Sequence, residues 1–174
     1  NSGGLTWATA TAQDTLSWRN VLMNGDMAVS QRTDNYAGEY YNRTSNGYYG
    51  PDRWNYAISS HGAYRIGQLT ASPAPGFNHY ANIRCTTADT SLAAGSFVYM
   101  NYSLEGYEVQ RIRKGTADAK QLSLQFWVKA ASTGTFVAEL TDEDNDRHCC
   151  QSFTISSADT WEKKTMTFPA DTTG

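Results

Sequence analysis

Charge is scarce in this chain, and no long run of Lys and Arg occurs. Lys and Arg number 14 against 17 Asp and Glu, only 18% of the 174 residues, for a formal net charge of -3. The densest basic group is Arg111, Arg113 and Lys114. A nucleic-acid interface needs a basic face to neutralise phosphates, so this balance argues against one. No apolar run approaches the roughly 20 residues that a spanning helix requires, which argues against membrane insertion. The opening Asn1-Ser2-Gly3-Gly4 has no initiator Met and no leader pattern, so a processed or excised piece is expected.

Cysteine is equally sparse. Cys85, Cys149 and Cys150 are an odd number with one adjacent pair, which matches neither a disulfide framework nor a zinc knuckle. A single bridge from Cys85 to one of the pair stays open. Buried free thiols in a reducing cytoplasm are the favoured reading. His61, His79 and His148 have no metal-ligand spacing. Asp142-Glu143-Asp144-Asn145-Asp146 offers alternate carboxylates, yet a hand-type calcium loop needs Gly sixth and Glu twelfth, where Arg147 and Phe153 stand. A solvated hairpin tip is expected there, and no metal or other cofactor. Signatures of nucleophilic catalysis and phosphate loops are missing too. Glu105, Glu108, Glu139 and Glu162 could supply glycosidase carboxyls, but no pattern pairs them. Glu105, beside Gly106, suits a backbone donor or an Arg at a strand end. The chain reads as no enzyme.

What the chain does have is aromatic residues, small polar residues and period-two alternation. Its 11 Tyr and 5 Trp, with abundant Ser, Thr, Asn and Gly, suit strands better than a helical bundle. Trp54, Tyr56 and Ile58 alternate with Arg53, Asn55 and Ala57. Tyr64 and Ile66 follow a Ser-Ser-His-Gly turn, and Ala81, Ile83 and Cys85 share a face opposite Asn82 and Arg84. Val98, Met100, Tyr102 and Leu104 repeat the pattern. The clearest run is Gln121 to Lys129, where Leu122, Leu124, Phe126 and Val128 point one way and Ser123, Gln125, Trp127 and Lys129 the other. Phe136, Ala138 and Leu140 form a further run; Cys149, Gln151, Phe153 and Ile155 another; Met166 and Phe168 point inward in the last.

About nine strands joined by short turns predict an all-β fold, an antiparallel β-sandwich with at most one short helical turn. That turn is expected over Tyr107 to Arg113, where Val109 and Ile112 stand three apart. Ser72-Pro73-Ala74-Pro75-Gly76 must be a loop, because Pro cannot pair inside a sheet. Residues 1–17 read as an extended lead-in or linker, which leaves 18–174 as the sandwich domain.

Three ordered blocks carry a resemblance. Asn20-Val21-Leu22-Met23-Asn24-Gly25-Asp26-Met27 with Gln31-Arg32 and Asp52-Arg53-Trp54 is the first. Leu104-Glu105-Gly106 through Gly115-Thr116-Ala117, with Lys120 and Leu124-Gln125-Phe126-Trp127-Val128-Lys129, is the second. Asp159-Thr160-Trp161-Glu162 through Thr167-Phe168-Pro169 and Asp171-Thr172-Thr173-Gly174 is the third. Together they resemble an all-β domain of bacteriophage tail-fibre and other virion proteins, a jelly roll related to carbohydrate-binding modules. The resemblance implies a virion location after synthesis in the host cytoplasm, other virion proteins as partners, a homotrimer, and attachment to a host-surface glycan. A purely structural head-decoration, collar or tail-assembly domain is the alternative. Family members continue past the final Asp-Thr-Thr-Gly, so a sandwich truncated at its C-terminal end is expected. The sequons at Asn42 and Asn101 would stay bare in bacteria.

Within this frame the candidate carbohydrate-binding residues are Trp127, Tyr36, Tyr40, Tyr41, Tyr48 and Tyr49. Trp127 faces away from the apolar side of its strand, and aromatic rings stack on the apolar faces of sugars. The five tyrosines surround Asn46-Gly47 and Gly50-Pro51, where large rings beside turns suit recognition. The competing readings are a tryptophan covered by a loop or partner, and a loop held down by its own rings.

Overall fold

A computed structural model describes residues 20–31, 42–59 and 61–173. The lead-in over 1–17 and the candidates Tyr36, Tyr40 and Tyr41 lie outside the described residues. Among the described residues the chain is all-β, with nine strands and one short helix. The strands are β1 (Asn42–Arg43), β2 (Trp54–Ser59), β3 (Ala63–Leu69), β4 (Tyr80–Thr87), β5 (Phe97–Tyr102), β6 (Leu122–Val128), β7 (Gly134–Asp142), β8 (Arg147–Ile155) and β9 (Glu162–Phe168). Helix α1 (Gly106–Val109) runs into a 3-10 turn (Gln110–Ile112) between β5 and β6, overlapping the segment Tyr107 to Arg113 where a helical turn was expected. Small antiparallel sheets result, ordered β1-β3-β4, β2-β5, β6-β9 and β7-β8.

β2 and β3 follow each other closely yet pair with different partners, β5 and β4. The turn between them depends on Gly62, whose φ is +91° and where a Cβ would come within 2.2 Å of the Thr87 carbonyl oxygen. Strands that leave such a turn into separate sheets can bring their apolar sides together. Trp54, Tyr56 and Ile58 of β2 indeed join Tyr64 and Ile66 of β3 in the buried core, with Leu22, Met27, Tyr49, Val98, Met100 and Tyr102 packed around them. Each such side chain, fully buried, stabilises by roughly 1.5–3 kcal/mol relative to exposure.

The second half repeats the device. β6 pairs with β9 and β7 with β8. Phe126 meets Phe153 edge-on at 5.1 Å, and Phe153 stacks on its cross-strand neighbour Phe136 at 5.8 Å. Ile155, Met166 and Phe168 are buried, as the alternation required. Trp161 ties the halves: its Nε1 donates to the Ser72 carbonyl at 3.1 Å, and its ring meets Tyr80 edge-on at 5.4 Å.

Two expectations need correction. Cys85, Cys149 and Cys150 are free thiols, but Cys85 and Cys150 are exposed rather than buried. Ile83 and Cys85 do share a face, yet both lie open. The reason is that β4 is an edge strand, and the core beneath this sheet draws on β3 alone.

The first of the blocks that carried the resemblance builds a junction at the start of β2. The Asn24 amide donates to the carbonyls of Val29 (2.8 Å) and Asp52 (2.9 Å), and its own carbonyl oxygens accept from Val29 N and Trp54 Nε1. Asp52 accepts from Gln31 N at 2.9 Å. These hydrogen bonds tie the segment before β1 to the start of β2.

Candidate functional site

Trp127 sits on the outward side of the β6-β9 ladder. The register sets Ser123 opposite Thr167, Gln125 opposite Thr165, and Trp127 opposite Lys163. The first two pairs hydrogen-bond through their side chains, at 3.4 and 3.1 Å. An indole at the end of a row of hydroxyl and amide groups has the composition of a sugar platform. Trp127 is half-buried, so only part of its ring is open to a ligand.

The tyrosine loop divides. Tyr48 is exposed. Tyr49 is a fastening: its hydroxyl donates to the Asn46 carbonyl at 3.0 Å, and the Arg43 guanidinium lies 4.3 Å from its ring centroid. Its ring fills the space over Gly47, where a Cβ would fall 2.4 Å from a ring carbon. Gly47 in turn bridges to Tyr56 of β2. Of the described candidates, Tyr48 and Tyr49 therefore flank β2, while Trp127 belongs to β6.

A more open aromatic pair was missed. Phe97 and Tyr99 stack on the outward face of β5, with centroids 5.2 Å apart and exposures of 38% and 51%. Ser59, Ala57 and Asn55 of β2 stand opposite Phe97, Tyr99 and Asn101 on that face. Asn101 Oδ1 is buried without a hydrogen-bond partner among the described residues, an unmet acceptor beside exposed rings. The signal was present in the sequence. Once Val98, Met100 and Tyr102 are assigned inward, Phe97 and Tyr99 must face out.

The carboxylates raised as acids or bases are all engaged locally. Glu105 and Glu108 share the Arg53 guanidinium, at 3.0 and 3.1 Å, so Glu105 does meet an Arg at a strand end. Glu139 pairs with His148 Nδ1 at 2.5 Å, and this hydrogen bond first, then Asp146, raises the imidazole pKa. Glu162 accepts from Ser156 N, Ser157 N and Lys164 Nζ, of which the lysine contributes most to lowering its pKa.

The acidic turn is a hairpin tip between β7 and β8. Asp142 binds Lys114 Nζ at 2.5 Å and accepts from Asp144 N and Asn145 Nδ2 at 3.2 and 2.8 Å. Lys114 first, and Asn145 second, hold its carboxyl down to about 2. Lys114 and Arg147 also reach Asp171, at 3.5 and 2.8 Å, which anchors the tail after β9. Among the described residues no group of three His, Cys, Asp or Glu is placed to hold a metal ion. No helix among them is long and apolar enough to cross a membrane.

A scan against family models, a search of curated proteins and a search of solved structures each return no match to this chain.

Proposed function

We propose that this chain is a non-enzymatic jelly-roll β-sandwich domain of a bacteriophage tail fibre or similar virion appendage that holds a host-surface glycan. The observation that carries the reading is the outward stack of Phe97 and Tyr99, with Asn55 and Asn101 on the same sheet face. Exposed rings supply the flat apolar surface that a pyranose covers. Trp127 with its row of Ser123, Gln125, Thr165 and Thr167 is a second platform of the same chemistry. Core clusters that draw on strands of separate sheets support the sandwich. The three ordered sequence blocks support the virion assignment, and with it a homotrimer and other virion proteins as partners.

A structural virion domain without glycan binding is the second reading. Phe136 and Val137, on opposite faces of β7, are 44% and 62% exposed, which suits contact with sister subunits. A glycan array and a host-cell binding assay on the purified chain, with Tyr99→Ala and Trp127→Ala, separate the two readings. Glycan binding predicts retention of specific sugars that Tyr99→Ala weakens at least tenfold, with Trp127→Ala weakening it further. Full binding by both variants, or no retained sugar together with a trimer by light scattering, favours the structural role.

A further inference from the structure

Arg65 and Arg84 stand directly opposite each other on β3 and β4. Both are exposed on the outward face, because their neighbours Tyr64 and Ile66 point into the core. Like charges directly across a strand pair repel and destabilise it. Neither guanidinium has a carboxylate partner among the described residues, although the chain as a whole carries net negative charge. The face therefore offers two guanidinium donors to an anion from outside.

The same face provides room for one. Arg65, Leu69, Asn82 and Arg84 line a depression of about 160 Å³. Gly67 stands opposite Asn82 and places no side chain between the arginines and Leu69. Beyond it, Leu69 stands opposite Tyr80, whose ring is braced by Trp161 at 5.4 Å. The surface thus runs from two guanidinium groups, past an amide, to an apolar and aromatic wall. A depression of that size holds several waters. It fits an oxyanion together with part of the ring or chain that bears it.

We propose that Arg65, Arg84 and Asn82 form an oxyanion-binding site, which takes a carboxylate or phosphate group carried on a larger ligand. Guanidinium forks donate paired hydrogen bonds to planar or tetrahedral oxyanions, and such charge-assisted bonds are about twice as strong as neutral ones. The Asn82 amide adds a donor, and Leu69 with Tyr80 takes the non-polar flank. The site lies on a different sheet from the Phe97–Tyr99 and Trp127 platforms, so it stands whether or not they hold a sugar.

The test titrates the full chain, at constant ionic strength, with sodium phosphate, sodium glucuronate and, as the neutral control, glucose. Arginine Nε–Hε resonances and the melting temperature are followed. Saturable millimolar binding is expected for at least one anion and none for glucose. Arg84→Gln and Arg65→Gln should each weaken it at least tenfold, yet melt no lower than the parent in anion-free buffer, because repulsion is relieved. Arg113→Gln, which loses only the exposed pair with Asp118, should bind as the parent does. Tighter glucuronate would identify an acidic sugar as the ligand, and tighter phosphate a phosphate ester. Absence of saturation with either anion, or undiminished binding by Arg84→Gln, overturns the proposal.

Discussion

Arg53 Nη2 lies 3.1 and 3.3 Å from the two carboxylate oxygens of Glu108, a side chain only 9% exposed. The same guanidinium reaches Glu105 at 3.0 Å and the Tyr102 hydroxyl at 3.3 and 3.2 Å. Hydrogen bonding to Glu105 first, and to Tyr102 second, raises the arginine pKa above its ordinary range. Arg53 holds φ at +74°, a left-handed conformation that costs about 1 kcal/mol in a non-glycine residue. Glu108 also accepts from Glu105 N at 3.0 Å, which caps α1. One buried carboxylate therefore fixes the entry to β2 and the start of the helix together.

Glu108→Gln removes the charge from the more buried of the two carboxylates that hold Arg53, leaving Glu105 and the Tyr102 hydroxyl on the guanidinium. Glu108→Gln should lower stability by about 2–3 kcal/mol, whereas Glu105→Gln, at an exposed pair, should cost less than about 1 kcal/mol. Urea midpoints with an unchanged slope measure both. Equal losses would contradict the central role given to Glu108.

Tyr56 is fully buried, and its hydroxyl has no hydrogen-bond partner among the described residues. Burial alone pushes its pKa up. Tyr56→Phe removes an unsatisfied polar atom and keeps the ring, so it should be neutral or stabilising by up to about 1 kcal/mol. In a chain of this size that is roughly 2–4 °C in Tm. A drop in Tm of several degrees would show that the hydroxyl has a partner.

Gly62→Ala combines a disfavoured φ with a 2.2 Å approach to a backbone oxygen. A loss of roughly 2–4 kcal/mol is expected. Gly76→Ala is the comparison, since φ there is +84° but no atom lies within 4 Å of the added Cβ, so only the conformational part, about 1 kcal/mol, is lost. Thermal melts of the two variants separate clash from strain.

Asp142 titrates near 2 in the folded chain against an ordinary 3.8. A lowered folded pKa means stability present above about 3.8 and lost as pH falls toward 2. The parent should lose Tm over that window more steeply than Asp142→Asn. His148 behaves oppositely: its raised pKa means a contribution present below the ordinary 6.5 and lost as pH rises through the folded value. An NMR titration of the imidazole with its midpoint below 6.5 would sink the Glu139 pairing.

Much of the fold was legible because a strand writes its faces into every second residue. The inward set from Leu122 to Val128, the burial of Met166 and Phe168, and the single helical stretch after Glu105 all follow from periodicity or spacing. The candidate site was legible only in part. Alternation put Trp127 on the side opposite Phe126, but it says nothing of how much ring a neighbour covers. Tyr48 and Tyr49 were alike in sequence, and only the space above Gly47 distinguished the fastened ring from the open one.

The amino-acid order determined on its own that this is an all-β chain, which residues of a strand share a face, and where its turns lie, because these are local consequences of pleating and of Gly and Pro. Pairing was decided only in three dimensions. That β2 turns from β3 toward β5, that Arg65 meets Arg84, and that Arg53 reaches Glu108 depend on contacts between residues 19 to 55 positions apart. Such contacts form because burial and charge pairing reward particular registers, and no short stretch of sequence encodes them.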